Sequence, residues 1–514
     1  MWLTPLALVL LQCTSITSKT GYQCQSTDDC SRRGAEFAST TCKDGICQDI
    51  VGKTPPSTVC ASNRDCLGGT LRCVKGECLE YPCDVRGDVV DEEGVLLGVL
   101  RPSTPESVGV DVTQALPALL GLLADQWNLN ADDLKEDGVP HVGLLMCDEG
   151  KIEEAADHFE KLGVKAIVGP LTEPALVALR NTLKTKIPIL SPTGDSPRFK
   201  EAFGADQPWF CSSNLADAVG DFADLIKKVA AATAVDRGRP PTVAFVHNSW
   251  SDGETTFFNR TKAALPVDLA VSELDVNTDL TKAGRPNLLQ ASNLARVSKP
   301  DIVVMTGAAW ARAFVNDLEL RWPASSTRPV YVVMRTVPQL NDTLKARNWP
   351  RKVYALDVAR EGKLQANYGA MLGVLAGYIT GQGSVIPTAG AAYNDCLLTA
   401  LYGTFKAQTA NNVSPSSLGA EQITSGIASA GAMGSGQINL TTLPSDIGTA
   451  VGLLRTASSQ TQMTGANAIY GFESNTHVPI GEVTPYCLSA DLGSRTDTWR
   501  RVEFTEGSGA PSCP

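Results

Sequence analysis

Polar and aromatic residues of the kinds that hold small solutes recur directly after short apolar runs in this chain. In the first half these are Arg101, Ser103, Thr172, Glu173, Ser191, Thr193, Gly194 and Asp195; in the second they are Trp250, Asp252, Trp310, Arg335 and Thr336. Hydroxyls and glycine-flanked backbone N–H groups hold the polar end of a small molecule, and aromatic rings cover its apolar part. Three acids near one cleft favour a cationic or amine-bearing solute, and Arg101 and Arg335 offset them. The alternative for each acid is a solvated surface position. Covalent and phosphoryl-transfer chemistry has no matching set: there is no G-x-S-x-G elbow, no G-x-x-x-x-G-K-[ST] loop, no G-x-G-x-x-G opening a helix and no H-E-x-x-H. His141, His158, His247 and His477 fall in separate elements, none at ligand spacing to another. His158 lies opposite the apolar stripe of its helix and reads as a solvated surface residue. His247 ends a strand near the cleft and is a candidate for ligand contact or gating.

The elements that must position these groups are clearest from His141 to Pro197. Val142 to Met146, Val164 to Val168 and Ile187 to Leu190 are continuous apolar runs, the pattern of parallel strands covered on both faces. Between the first two, Ile152, Ala155, Ala156, Phe159 and Leu162 recur at helical spacing, and Gly163 ends the helix. Between the second and third, Thr172 or Glu173 caps a helix with Pro174 in its first turn and Leu176, Leu179 and Leu183 on its core face. Two crossovers of the same hand give an open parallel sheet, whose ligands sit outside the carboxyl ends of its strands. The loops there are Gly169 to Pro174 and Ser191 to Pro197. Read alone, both also fit ordinary capping turns. The same rhythm of strand and helix repeats from Thr242 to Val333, so two similar lobes are expected.

The ordered series of an acidic strand end, an amphipathic helix, V-K-A-I-V-G-P and then I-P-I-L-S-P-T-G-D resembles the first lobe of the type I periplasmic solute-binding proteins, the branched-chain amino-acid-binding and receptor ligand-binding family. The resemblance runs from about Gly94 to Phe504. It implies an α/β fold of two interleaved, doubly wound parallel-sheet lobes joined by a three-segment hinge and preceded by small disulfide-rich modules. It places lobe 1 at residues 94–212 and 359–470, lobe 2 at 213–358 and 471–505, and a tail at 506–514. Trp209 to Asn214 resembles the first crossover, Tyr354 to Asp357 the return strand, and Thr464 to Glu473 with Gly481 the third crossover, with Glu473 in place of the usual Asp. In amino-acid-binding relatives the loops matching 169–174 and 191–195 hold the ligand's carboxylate and ammonium. Here Glu173 stands where those relatives typically carry Ser, and Asp252 where an aromatic is common, which puts an α-amino-acid ligand in doubt.

The 514 residues, 43 % of them hydrophobic, describe a globular chain of two to four domains. A net charge of −11 without a basic run argues against nucleic acid as a partner. No stretch approaches the ~18 to 20 consecutive apolar residues of a spanning helix. Residues 1–17 read as a signal peptide, although no Lys or Arg precedes the apolar run. Leu10, Leu11, Gln12 and Cys13 resemble a lipobox with Cys13 as the lipidated residue; simple cleavage near Thr17 is the alternative.

Residues 24–83 hold nine of the fifteen cysteines. Cys24, Cys30, Cys42 and Cys47 are echoed by Cys60, Cys66, Cys73 and Cys78, each unit reading C-x5-C, a gap, then C-x4-C. Segments this short need staples to fold, so the repeat predicts two disulfide modules with no bridge between them. Zinc is the rival, without the C-x2-C spacing of common structural sites. Thr54 to Ser57 and Asp84 to Glu93 read as linkers, and Cys487 with Cys513 as a C-terminal clip.

The expected function is an exported solute-binding protein, periplasmic or lipid-anchored at the outer membrane or cell surface, with no cofactor, metal or catalytic group. Its lobes close on a small polar ligand, amino-acid-like or amine-bearing, for ABC-type uptake or sensing through a membrane transporter or envelope protein. The alternative is an envelope interaction module on the same fold.

Overall fold

A computed structural model describes residues 40–43, 46–49, 60, 63–66, 71–88, 93–102, 110–192, 203, 208–212, 218–277, 286–334, 340, 353–358, 366–371, 388–432, 436–441, 444–456, 461–466, 469–470, 472, 483–488 and 499–502. The signal-like start with Cys13, together with Cys24, Cys30, the 54–57 linker, Cys513 and the tail, lies outside the described residues. The chain divides into two compact units, residues 1–81 and 82–514.

The first unit contains two hairpins of matching form. β1 (Thr40–Lys43) pairs antiparallel with β2 (Ile46–Asp49), placing Cys42 opposite Cys47; β3 (Leu71–Val74) pairs with β4 (Glu77–Glu80), placing Cys73 opposite Cys78. The second hairpin turns through Lys75 and Gly76, both at positive φ, as a two-residue turn between right-twisted strands requires. Cys60 bonds Cys73 and Cys66 bonds Cys78, so the pairing order is first to third and second to fourth. The sulfurs of Cys60, Cys66 and Cys78 lie close enough to suggest a metal centre, but all three are spent in disulfides rather than held as thiolates.

The second unit opens on a strand where a linker is expected. Asp84 to Glu93 starts with β5 (Asp84–Gly87), and Cys83 is bonded to Cys147 rather than belonging to the modules. A four-residue edge strand carries little apolar signal, so its sequence reads as a polar linker.

Two sheets follow. The first has the order β10-β9-β8-β6-β7-β5, from β6 (Val95–Arg101), β7 (Val142–Asp148), β8 (Ala166–Val168), β9 (Ile189–Ser191) and β10 (Trp209–Phe210), all parallel except β5. The second has the order β12-β11-β13-β14-β15-β19-β20, from β11 (Thr242–His247), β12 (Ala270–Asp275), β13 (Ile302–Met305), β14 (Val330–Met334) and β15 (Val353–Val358), with β19 (Val483–Leu488) and β20 (Trp499–Arg501) antiparallel at one edge. In both sheets the order of the parallel strands reverses beside the first of them, at β6/β8 and at β11/β13, which makes these the topological switch points.

Helices cover both faces. The crossovers of the first sheet include α1 (Val110–Asp133), α2 (Ile152–Leu162) and α3 (Glu173–Thr182). Against the second lie α4 (Val219–Arg237), α5 (Asp252–Ala264), α6 (Pro286–Ser298) and α7 (Ala308–Arg321). Alternate residues of β11 and β13 enter opposite cores: Phe245 and Val304 join Phe222, Phe257 and Phe258, while Val246 and Met305 join Trp310, Phe314 and Leu318. This double burial accounts for the near-continuous apolar strands.

After β15 the chain returns to the first sheet. α8 (Thr388–Asn411) shares a core with Leu97, Val99, Leu123 and Trp127, and Tyr402 meets Trp127 edge-on with ring centres 5.3 Å apart. α9 (Ala420–Ala430) and α10 (Pro444–Leu454) pack into the same core. A small sheet of β16 (Gly436–Asn439), β17 (Thr461–Thr464) and β18 (Ile469–Tyr470), which no apolar run announces, precedes the last passage to β19. The chain thus passes between the two large sheets three times, after β10, after β15 and after β18.

Two of these passages are gripped where they leave the core of the first sheet. Cys211 is bonded to Cys396 of α8, and the Tyr470 hydroxyl donates to Asp395 Oδ2 at 2.9 Å with the Cys211 carbonyl oxygen 3.1 Å away. Cys487 is also disulfide-bonded. Among the described residues no helix is long and apolar enough to cross a membrane.

Peptide mapping without reduction should recover Cys60–Cys73, Cys66–Cys78, Cys83–Cys147 and Cys211–Cys396. The repeated spacing makes the same first-to-third, second-to-fourth order the expectation for Cys24, Cys30, Cys42 and Cys47; a bridge between the two modules would contradict it. Replacing both Cys83 and Cys147 by Ser should lower unfolding free energy by up to about 4 kcal/mol, the loop-closure value for a separation of 64 residues.

Candidate functional site

Among the described residues, the carboxyl ends of the two sheets meet at a seam built largely from acids. β8 runs into Gly169, Pro170, Leu171 and Thr172, and Glu173 opens α3. Gly169 is needed here: its φ is +98°, and a Cβ would lie 2.4 Å from the Leu100 carbonyl oxygen at the end of β6. Pro170 follows through a cis peptide. Ser191, the last residue of β9, donates its hydroxyl to the Pro170 carbonyl (2.9 Å), and Tyr393 of α8 donates to the Leu100 carbonyl (2.6 Å). The loop beside the first switch point is therefore held from β9, while α8 holds the end of β6.

Glu149, just past β7, lies beneath this loop and accepts from the Leu171 N–H at 2.9 Å. Glu173 faces the other way. Its Oε2 accepts from Ser251 Oγ at 3.0 Å and from the Gly253 N–H at 2.9 Å, both at the start of α5 beyond the second sheet. Ser251 is the N-cap of that helix and accepts in turn from the Glu254 N–H at 3.2 Å. Although Glu254 as a residue is half-buried, its carboxyl is enclosed, accepting from Trp310 Nε1 (3.1 Å) and from Thr306 Oγ1 (3.2 Å) beyond β13.

The expected site residues divide accordingly. Glu173, Ser191 and Trp310 belong to this seam, with the Thr172 hydroxyl buried in the same loop. Trp310 is only 1 % exposed, and its N–H serves Glu254, so its ring forms part of the core beside the seam. Trp250 is 46 % exposed and Asp252 is exposed at the first position of α5. Arg101 forms an ion pair with Asp84 of β5 at 2.9 Å. Ser103, Thr193, Gly194, Asp195, Arg335 and Thr336 lie outside the described residues. His247 is buried, stacked on Phe258 with its Nε2 3.1 Å from Glu273. His158, expected on the solvated face, is instead half-buried with its Nδ1 enclosed, because its helix is covered more widely than its apolar stripe suggests.

Glu149, Glu254 and Tyr393 are not among the residues that sequence reasoning singles out. Glu254 does carry a signal: Ser251-Asp252-Gly253-Glu254 has the S-x-x-E form of a capping box. Its side chain turns inward to Trp310, which only the tertiary structure reveals.

Burial lifts the Glu254 carboxyl from its ordinary 4.5 to about 7; the bonds from Trp310 and Thr306 oppose this, and the charge of Glu173 adds to it. Burial likewise lifts Glu149 to about 7, opposed by the Leu171 N–H and aided by Asp148. An acid whose pKa is higher folded than unfolded takes up a proton on folding. Its contribution to stability is full below pH 4.5 and is lost as pH rises through about 7. Glu254→Gln keeps an oxygen for Trp310 and Thr306 and removes the ionisation. In urea titrations the variant should lose part of the wild type's fall in stability between about pH 5 and 8, and at pH 8 should exceed wild type by up to roughly 3 kcal/mol. Identical pH slopes for the two proteins would place the ionisation elsewhere.

No protein-family profile matches the chain, and no curated protein sequence matches it. Solved structures do match. A solute-binding protein of an ABC transporter from Rhodopseudomonas palustris BisB5, in complex with 3,4-dihydroxybenzoic acid, is similar over 81 % of this chain and 95 % of its own, at 12 % identity and a TM-score of 0.51. An R. palustris solute-binding protein in complex with 4-hydroxybenzoate is similar over 79 % and 96 %, at 13 % identity and 0.50. An extracellular ligand-binding receptor from R. palustris HaA2 is similar over 80 % and 100 %, at 12 % identity and 0.50. Identities this low speak to fold alone, and the two sheets with their 2-1-3-4-5 strand orders and three connecting passages give the same answer from within the chain. The body of this protein has the fold of the type I periplasmic solute-binding proteins.

Proposed function

We propose that this protein is an exported solute-binding protein that closes two lobes over a small polar ligand and either delivers it to an ABC-type transporter or reports it to an envelope partner. The observation that supports this reading is the seam: loops from the switch points of two separate sheets bring polar groups against one another, where α/β sheets bind ligands. The lobes comprise residues 94–212 with 359–470, and 213–358 with 471–505. Thr172 and Trp250, with Ser103, Thr193, Gly194, Asp195 and Arg335, surround the ligand. The acids favour an amine-bearing or amino-acid-like solute over a simple anion. Residues 1–17 direct export, and Cys13 serves as a lipid anchor at the cell envelope. The protein acts by binding rather than catalysis.

A second reading, an envelope interaction module, is favoured by the Cys-rich unit, which solute delivery does not require. A thermal-shift screen of amino acids, amines, short peptides and carboxylates on the mature, disulfide-intact protein separates the two. A solute at 100 times its dissociation constant should stabilise by ~2.7 kcal/mol. Silence across the whole panel would leave the interaction module as the better reading.

A further inference from the structure

The contact between Glu173 and α5 has the form of a bound anion. A helix N-terminus presents N–H groups without intrahelical acceptors and a partial positive charge, and it favours a carboxylate. Here Gly253 N–H and Ser251 Oγ converge on one oxygen, and that oxygen belongs to the chain itself, 80 residues away in sequence and on the other sheet. Glu173 is 8 % exposed, so the bond is made out of bulk water, where charge-assisted bonds are strongest. The enclosed carboxyl of Glu254 lies in the same first helical turn. A further anion entering from solution would have to displace Glu173 and would also face Glu254.

We propose that Glu173 is an internal ligand of the second lobe: it fills the carboxylate-binding point formed by Ser251 and Gly253, latches the lobes there, and keeps solute carboxylates out. The last part rests on the solute-binding reading; the latch is a property of the chain alone. The solute of this protein then meets the seam with a neutral or cationic group, and Glu173 determines that selectivity.

The test uses the full, disulfide-intact chain and sodium acetate as the probe, at constant ionic strength. In Glu173→Ala the point is vacated. Hydrogen exchange at the start of α5 should speed up about tenfold or more, the size expected of one charge-assisted hydrogen bond, and small-angle scattering should show a larger radius of gyration. Acetate should then restore protection and raise the melting temperature of this variant saturably, while leaving wild type unmoved. Glu173→Gln, nearly isosteric, should fall between the two, because its amide oxygen still accepts but without charge; it carries the test if the alanine variant does not fold. Ser251→Ala removes one donor from the opposite lobe and should loosen the same exchange without restoring any response to acetate. Wild-type exchange and scattering in Glu173→Ala and Glu173→Gln, or an acetate response equal in wild type and Glu173→Ala, would overturn the proposal. A solute screen without a hit leaves acetate rescue intact, whereas a hit without rescue removes only the internal ligand.

Discussion

Three carboxyl groups, those of Glu149, Glu173 and Glu254, are taken out of water where the ends of the two sheets meet. Removing a carboxylate from water is costly unless donors replace the lost solvent, so the positions of those donors constrain everything nearby. Leu171 must offer its N–H to Glu149, which fixes the loop after β8. Ser251 and Gly253 must face Glu173, which fixes the start of α5. Trp310 and Thr306 must turn to Glu254, which ties α5 to the end of β13. The packing of Gly169 against Leu100 and the hydroxyl of Ser191 then follow as supports for a loop that has little freedom left.

Disulfides brace the scaffold of the first sheet behind the seam. Cys83–Cys147 fastens the edge strand β5 to β7, and Cys211–Cys396 fastens the first passage between sheets to α8. Asp395 accepts from the Ala466 N–H and the Tyr470 hydroxyl, so the third passage begins from the same helix. The departures of two passages are thus both anchored on α8.

Most of the fold is legible in the sequence because it rests on signals that sequence carries directly. The apolar runs at Val142, Val164 and Thr242 reappear as β7, β8 and β11, and the Ile152 to Leu162 stripe as α2. What escapes is short or determined by contact. β5 is four residues long, and β16 to β18 lack an apolar run. Of the residues expected at a site, Glu173, Ser191 and Trp310 come together at the seam, but what they do there is not written in the sequence. Glu173 stands out as a carboxylate in a loop at the end of a strand, yet its partners lie beyond the second sheet, and no local pattern links residue 173 to residues 251 and 253. Trp310 reads as cover for a ligand, and its burial against Glu254 depends on a helix packed from elsewhere in the chain.

On the proposed solute-binding reading, the seam also bears on the energetics of a solute that enters it. A ligand shifts an equilibrium between open and closed lobes only by its preference for one of them, and a protein rarely found closed weakens apparent affinity by that rarity. On the reading proposed above, a bond such as that of Glu173 to α5 holds the lobes together before any solute arrives. The solute then needs less binding energy to hold the lobes together, and more of its contacts count toward affinity and selectivity. The cost falls on release, since opening must break a buried, charge-assisted contact in low dielectric. Burial, with the neighbouring charge of Glu173 added to it, favours the protonated form of Glu254 in the same helical turn, so the first turn of α5 receives the Glu173 carboxylate without a second full charge beside it at acid pH.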